Sequence, residues 1–298
     1  MNARRREFWT AMAFASPWII GFLVFMVYPL GASIYYSFCD YSVLRAPIWI
    51  GTANYTDLFQ DNLFWISLEN TFIFAALALP IGTIVALSLA MLLNMRVRFM
   101  SVYRTIFFLP SLVPTVAMAV LWLWILNGDY GVLNTALTPL FHLIGQQPPN
   151  WLGDPLWTKP ALVILSVWSG GNTMVIYLAG LQDVPRQLYE AADLDGAGWW
   201  SRTWHVTLPM LSPVILFNVI MGIIGSLQVF TLPYVMFPAG GQPANSTYFY
   251  VMYLFDNAFI YHKMGLACAM GWIMFLLIMV LTLVSLRVSR RHVHYSGG

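Results

Sequence analysis

The chain has 298 residues, of which 59% are hydrophobic and only 9% are charged. Soluble globular domains carry roughly a quarter charged residues, so this composition excludes a protein whose whole surface faces water. The 14 basic and 12 acidic residues leave a net charge of +2, which does not indicate a nucleic-acid partner. The two cysteines, Cys39 and Cys268, are too few for a disulfide framework.

Six apolar stretches are long enough to cross a bilayer as helices, because a hydrocarbon core about 30 Å thick needs roughly 20 residues. None of the six contains Asp, Glu, Lys, Arg or His, and no soluble domain or low-complexity segment separates them. They predict one all-α integral membrane domain that covers residues 1–298. In chain order the predicted spans are Phe14–Phe38, Thr71–Leu93, Ile106–Leu126, Ala161–Gln182, Leu211–Phe237 and Gly265–Leu286.

The basic residues are divided unequally between the two sides of the predicted membrane domain. Three of the 14, Arg45, Lys159 and Lys263, fall on one side, and the other 11 fall on the opposite side. Because cytoplasmic segments carry an excess of Lys and Arg, we expect both termini in the cytoplasm. The 11 cytoplasmic residues are then Arg4, Arg5, Arg6, Arg96, Arg98, Arg104, Arg186, Arg202, Arg287, Arg290 and Arg291.

The connection between the fourth and fifth spans, residues 183–209, differs in kind from the others. A proline near its start and a run of helix-compatible residues predict a first short helix. Gly196 and Gly198 then end this helix and supply a site for positive φ. A second short helix is predicted over Trp199–Thr207, stopped by Pro209.

The predicted helix–turn–helix carries small side chains beside carboxylates. Ala191 and Ala192 would let it seat closely in a groove of another protein, where Glu190 or Asp195 would meet cations or backbone donors. An ordinary cytoplasmic loop with solvated acids fits the spacing about equally well.

The run Glu190 to Gly198 reads Glu-Ala-Ala-Asp-Leu-Asp-Gly-Ala-Gly, and Leu208-Pro209 follows. It resembles the EAA loop of permease subunits from binding-protein-dependent ABC importers. In that loop a glutamate is followed by two alanines, and a glycine and then a Leu-Pro pair come later. The resemblance implies a type I ABC importer permease fold with a cytoplasmic coupling helix. It also implies which residues contact the ATPase subunit, namely Glu190, Ala191, Ala192, Asp195 and Gly196.

The resemblance extends along most of the chain, to permeases of the maltose and glycerol-3-phosphate type. One match departs from the usual Gly-Gly-Pro, because Gln242 is inserted before Pro243. The other matching positions are Ser16-Pro17-Trp18, Tyr28-Pro29, Asn54-Tyr55, Trp65, Asn70-Thr71, Arg104, Leu109-Pro110, Trp168-Ser169-Gly170-Gly171-Asn172 and Gln228-Val229-Phe230.

The sequence argues against other sources of transport energy and against an enzyme. A phosphate-binding Gly-x-x-x-x-Gly-Lys loop is missing, since the two lysines, Lys159 and Lys263, stand in other contexts. A proton-coupled carrier would place ionisable relay groups within its spans, and a sodium-coupled carrier would show paired repeats with broken helices. No catalytic acid–base pair, metal cluster or nucleophile constellation falls in or beside the spans, so neither a cofactor nor a metal is expected.

Polar side chains within the fourth and fifth spans are the candidates for the substrate path, because unpaired polar groups are costly in lipid. Positions 169, 172 and 173 would share one helix face. For Ser and Thr we favour a hydrogen bond to a carbonyl of their own helix, and for Gly222 and Gly225 a role in close helix packing. The predicted path residues are Trp168, Ser169, Asn172, Tyr177, Asn218, Ser226 and Gln228.

These observations and the resemblance together imply a permease subunit of an ATP-driven sugar importer in the cell inner membrane. Neutral amides, hydroxyls and aromatic faces suit a sugar or oligosaccharide. The expected partners are an ATPase subunit dimer, a second permease subunit that is a paralogue or identical, an extracytoplasmic substrate-binding protein and the lipid bilayer. Two alternatives stay open: the same machine for glycerol-3-phosphate, a polyamine or a metal complex, and a channel or secondary carrier that works alone.

Overall fold

The computed structural model describes residues 3–95, 97–143, 145–237, 241 and 243–289, with side chains described from Glu7 onward. Arg96, Gly240, Gln242, Arg290 and Arg291 lie outside the described residues, and so do the side chains of residues 4–6. The chain is mostly helical, and the described ranges hold one pair of two-residue strands, Cys39–Asp40 and Ile48–Trp49. The α-helices whose bounds lie in those ranges are Ala3–Phe22, Tyr28–Ser37, Ala53–Gln60, Asn62–Leu93, Met100–Phe108, Thr115–Ile125, Val132–Leu143, Pro155–Trp168, Gly171–Gln182, Arg186–Leu194, Trp199–Arg202, Leu208–Leu227, Thr231–Met236, Tyr250–Phe255 and Met264–Ser289.

Within the described residues, four helical segments are long and apolar enough to cross a membrane: Glu7–Ser37, Asn62–Leu93, Trp199–Met236 and Met264–Ser289. The number rises to six if each of two bent helix pairs forms one span. Large apolar side chains on these segments stay exposed, and Phe25, for example, is 80% exposed. Such an apolar surface is normal where the surrounding solvent is lipid.

Two predicted spans are broken helices rather than continuous ones. In the predicted span 106–126, the helices flanking Val113-Pro114 meet at 98°. Proline lacks an amide donor and disfavours helical geometry in the residue before it, which explains the break. In the predicted span 161–182, Ser169 and Gly170 separate two helices that meet at 49°.

Pro209 does not stop a helix, contrary to the sequence-based prediction. Trp199–Arg202, a π-helical turn over Thr203–Thr207 and Leu208–Leu227 follow one another without interruption. A proline lacks an N–H and its ring presses on the preceding turn. The wider π turn directly before it relieves that conflict, and the same arrangement, Leu23–Val27, precedes Tyr28-Pro29.

Close contacts divide the chain into two compact units, the first formed by Met1–Asn62 and Leu254–Leu276. In this unit the Asn54 amide donates to the carbonyls of Ser37 and Cys39, both at 2.9 Å. Gly265 fits directly against the Cys39 carbonyl, because an added Cβ would lie 2.0 Å from that oxygen. These contacts fix the turn that follows the first membrane helix.

The second unit, Leu63–Tyr253 with Leu277–Gly298, contains the candidate functional residues. A hydrophobic core cluster in this unit joins the end of Asn62–Leu93 to Gly171–Gln182 and the start of Leu208–Leu227. Gly180 permits this approach, since an added Cβ would lie 3.0 Å from side-chain atoms of both Leu211 and Val214. The buried core residues here are Ala86, Ala90, Leu93, Met174, Tyr177, Leu178, Leu181 and Leu211.

Candidate functional site

A cavity of about 280 Å³ lies within the second unit. Its wall is formed by the middle of Asn62–Leu93, the bend at Ser169-Gly170, the second half of Leu208–Leu227 and two residues that follow this helix. None of its lining side chains carries a charge. The lining residues are Phe74, Ala78, Leu79, Gly82, Thr83, Ala86, Ser166, Val167, Gly170, Thr173, Asn218, Gly222, Gly225, Ser226, Val229 and Leu232.

Two of the seven predicted path residues, Asn218 and Ser226, line this cavity. Both bond to their own helix: the Asn218 amide donates to the Val214 carbonyl at 2.9 Å, and the Ser226 hydroxyl to the Ile223 carbonyl at 3.2 Å. For Ser226 this confirms the expected local bond. A primary amide offers two N–H donors and an oxygen acceptor, so one local bond leaves Asn218 with capacity for a solute.

The other five predicted path residues lie elsewhere. Trp168 is 39% exposed and packs edge-on against Trp122, while the Ser169 hydroxyl donates to the Ser166 carbonyl. Asn172 and Gln228 are exposed. Tyr177 is fully buried in the core, with its hydroxyl beside Thr83.

The helix face predicted to carry positions 169, 172 and 173 does not exist as one surface. The Pro155–Trp168 helix has already ended at Ser169, and Asn172 is the second residue of the next helix, beyond the 49° bend. Thr173 reaches the cavity, together with Ser166 and Gly170. The bend thus replaces the expected helix face by a short, half-buried turn.

The wall formed by Asn62–Leu93 is absent from the sequence-based prediction, which placed the path only in the later spans. Gly82 and Thr83, two and three residues after Pro80, line the cavity. A proline, a glycine and a hydroxyl in the middle of a strongly apolar helix are a usable signal for a cavity wall, because the proline leaves a backbone carbonyl without its helical partner and Gly82 has open space where a side chain would lie.

Gly222 and Gly225 have different roles. An added Cβ at Gly222 would lie 2.4 Å from Leu79 Cδ1, so this glycine permits the close helix approach that the sequence predicts. At Gly225 an added Cβ would meet nothing within 4 Å, and the residue faces the cavity. Within the described residues no helix packs against Gly225, so this chain alone does not supply the packing role predicted for it.

The second candidate feature is the EAA hairpin, which we define as residues 183–209. Its first helix, Arg186–Leu194, has no buried residue. The predicted contact residues lie on or directly after it: Glu190, Ala191, Asp195 and Gly196 are exposed, and Ala192 is half-buried. Leu194, at the end of the helix, is 91% exposed. The hairpin thus presents an unpacked surface with both apolar and acidic groups.

The turn of the EAA hairpin has the geometry that its glycines predict. Gly196 has φ +74° and donates to the Asp193 carbonyl at 3.1 Å, while Ala197 donates to the Ala192 carbonyl at 2.9 Å. This pair of bonds is a Schellman motif, with Gly196 in the left-handed position. Gly198 instead has φ −70° and ψ 170°, so it precedes the next helix in an extended conformation.

We expect Gly196→Ala to loosen the turn, because a residue with a Cβ pays about 1–2 kcal/mol in the left-handed region. The space itself is open, since an added Cβ meets nothing within 4 Å. Exchange of the Ala197 amide hydrogen should accelerate by roughly 5- to 30-fold, measured by hydrogen–deuterium exchange.

Gly198→Ala is the matched control, because its surroundings are equally open and its φ is negative. It should leave the exchange rate of Ala197 nearly unchanged. Equal effects of the two substitutions would contradict the strain argument.

Comparison with known proteins agrees with these features. Residues 78–294 match the family described as "Binding-protein-dependent transport system inner membrane component". Over 298 residues the chain is 40% identical to the probable ABC transporter permease protein YesP of Bacillus subtilis (strain 168), with 98% of this chain and 94% of YesP covered. It is 36% identical to the lactose transport system permease protein LacF of Rhizobium radiobacter, with 93% of each chain covered.

Solved structures show the same fold. A chain of a bacterial ABC transporter that imports the acidic polysaccharide alginate superposes with a TM-score of 0.82 at 26% identity, and 96% of each chain is covered. A second structure of such a transporter contains an alginate pentasaccharide-bound periplasmic protein. The resemblance to carbohydrate ABC importer permeases is confirmed. The chain belongs to the family of binding-protein-dependent transport system inner membrane components.

Proposed function

We propose that this chain forms half of the translocation path of an ATP-driven importer for a neutral sugar or oligosaccharide, and that the EAA hairpin couples it to the ATPase. One observation carries the proposal: the exposed hairpin continues through an uninterrupted helical run, Trp199–Leu227, into the wall of the uncharged cavity. A movement imposed on the hairpin would therefore reach Asn218 and Ser226 without crossing a flexible break.

The lining of the cavity supports a neutral solute. Thr83, Thr173, Asn218 and Ser226 offer hydroxyl and amide groups, and Phe74 adds an aromatic face. These are the groups that bind hydroxyls and stack on C–H surfaces. A phosphorylated or otherwise anionic solute would be expected to meet Arg or Lys.

Membership in the family supports the assembly that we propose. The residues that contact one subunit of an ATPase dimer are Glu190, Ala191, Ala192, Asp195 and Gly196. That dimer binds the ATP that supplies the energy, because this chain has no ATP-binding motif. A second permease subunit completes the path, and an extracytoplasmic binding protein delivers the solute. The chain crosses the inner membrane six times with both termini in the cytoplasm, so the EAA hairpin lies on the cytoplasmic side.

Reconstitution of the assembled complex tests this proposal. The chain should co-purify with an ATPase, a second permease and, in the presence of solute, a binding protein. Proteoliposomes holding all of these should accumulate a radiolabelled neutral oligosaccharide only when ATP is supplied, and a charged oligosaccharide should not compete. Uptake by the purified chain alone without ATP, or the lack of an ATPase in the purified complex, would contradict the proposal.

A further inference from the structure

Two side-chain contacts connect the two helices of the EAA hairpin. The Arg202 guanidinium, on the second helix, pairs with the Asp193 carboxylate on the first. Five residues further along the second helical run, the hydroxyls of Tyr189 and Thr207 lie 3.1 Å apart in a hydrogen bond. Both contacts cross from the predicted coupling helix to the helical run that lines the cavity.

Apolar packing gives the coupling helix little support. Arg186–Leu194 has no buried residue, whereas Thr203 and Thr207 on the facing run are buried. A cavity of about 180 Å³ lies at the root of the hairpin, beside Tyr189 and Arg202. Incompletely filled space of this kind permits a helix to tilt, because packed contacts are what hold an interhelical angle. The angle of the coupling helix therefore depends on polar contacts.

The spacing of the two contacts fixes the orientation of the first helix as well as its distance from the second helical run. Asp193 and Tyr189 are four residues apart, so they lie on one face of the first helix. Through these two contacts that face meets the second helical run, and the Asp193 side chain is itself 55% exposed, as Glu190 and Ala191 are exposed. Losing one contact would free the helix to pivot about the other.

We propose that Asp193 and Arg202 are positioning residues for transport: their ion pair sets the angle at which the coupling helix meets the ATPase. With the pair intact, the hairpin moves as one body with Trp199–Leu227. Without the ion pair, part of each movement of the ATPase tilts Arg186–Leu194 and is not transmitted to the cavity wall. This inference rests on the proposed function, because it assigns a role within the coupling that the hairpin performs.

Arg202→Gln and Asp193→Asn in the reconstituted complex test this role. Each should lower solute uptake per ATP hydrolysed by roughly two- to fivefold, the range expected for one partly exposed ion pair. The double variant Asp193→Arg with Arg202→Asp exchanges the two charges and rebuilds the contact with reversed polarity. It should therefore recover more than half of the uptake per ATP that the single variants lose. Uptake per ATP is the informative quantity, since a loss of folded protein would lower uptake and hydrolysis together.

Arg98→Gln is the control, because Arg98 lies outside the hairpin, over the Phe99 ring, and should leave uptake per ATP unchanged. Tyr189→Phe removes only the second contact and should lower the same ratio by a smaller factor. Unchanged ratios in Arg202→Gln and Asp193→Asn, or an exchanged pair no better than the single variants, would overturn the inference. The proposed function would survive that result if the wild-type complex still contains the ATPase and Glu190→Lys still uncouples it.

Discussion

Glu190→Lys should uncouple ATP hydrolysis from uptake while the chain stays in the membrane. Glu190 is exposed on a helix with no buried residue, so the substitution disturbs little within the chain itself. Where a carboxylate meets cations or backbone donors of a partner, reversing its charge costs several kcal/mol. We therefore expect uptake to fall by about tenfold or more, since 1.4 kcal/mol is already a factor of ten.

The measurement is solute uptake and ATP hydrolysis in the same proteoliposomes, with the amount of chain quantified by immunoblotting. Glu7→Lys is the matched control, because Glu7 is also an exposed glutamate and lies outside the hairpin. It should leave uptake per ATP unchanged. The coupling role of Glu190 is excluded if Glu190→Lys transports as efficiently as the control.

The turn of the EAA hairpin could be predicted because its geometry is local. Gly196 follows a short helical run, and a glycine in that place commonly adopts the left-handed conformation that closes a Schellman motif. The continuation of the helix through Pro209 could not be predicted, because it depends on a π turn over Thr203–Thr207. A proline ends most helices, and the sequence carries no local signal for the wider turn that accommodates it.

The cavity could be predicted only in part, for a similar reason. Asn218 and Ser226 are polar groups in a strongly apolar span, so their cost in lipid marks them from sequence. Asn172 is also a polar group in an apolar span, but it is exposed outside the cavity. The 49° bend turns its helix away from the direction that a straight helix would follow. Apolar wall residues such as Ala78 and Leu79 cost no free energy in lipid, so nothing in the sequence marks them as cavity residues.

The uninterrupted helix changes how coupling is understood in this chain. A helix that stopped at Pro209 would have left a joint between the hairpin and the cavity wall. The continuous run makes the hairpin a direct extension of that wall, so we expect the hairpin to yield at the two contacts that join its helices, Asp193 with Arg202 and Tyr189 with Thr207. Variants that loosen the hairpin and variants that fill the cavity should consequently fail in different ways: the first keep hydrolysing ATP without uptake, and the second block passage of the solute.

Gly225→Trp should block that passage. An added Cβ at Gly225 meets nothing within 4 Å, so the side chain enters the 280 Å³ cavity. An indole ring occupies much of such a space, so little room is left for a solute. We expect uptake to fall by roughly tenfold or more, with the chain still present in the membrane at normal amounts.

Gly21→Trp provides the matched control, because it makes the same substitution on a membrane helix where an added Cβ also meets open space. Gly21 lies in the first helix, outside the cavity, so its indole ring would face lipid and uptake should be unchanged. A graded series at position 225, from Ala through Leu to Trp, should lower uptake in order of side-chain volume and affect larger oligosaccharides first. Normal uptake by Gly225→Trp would show that solute passes elsewhere, since no solute could share this cavity with an indole ring and move at the wild-type rate.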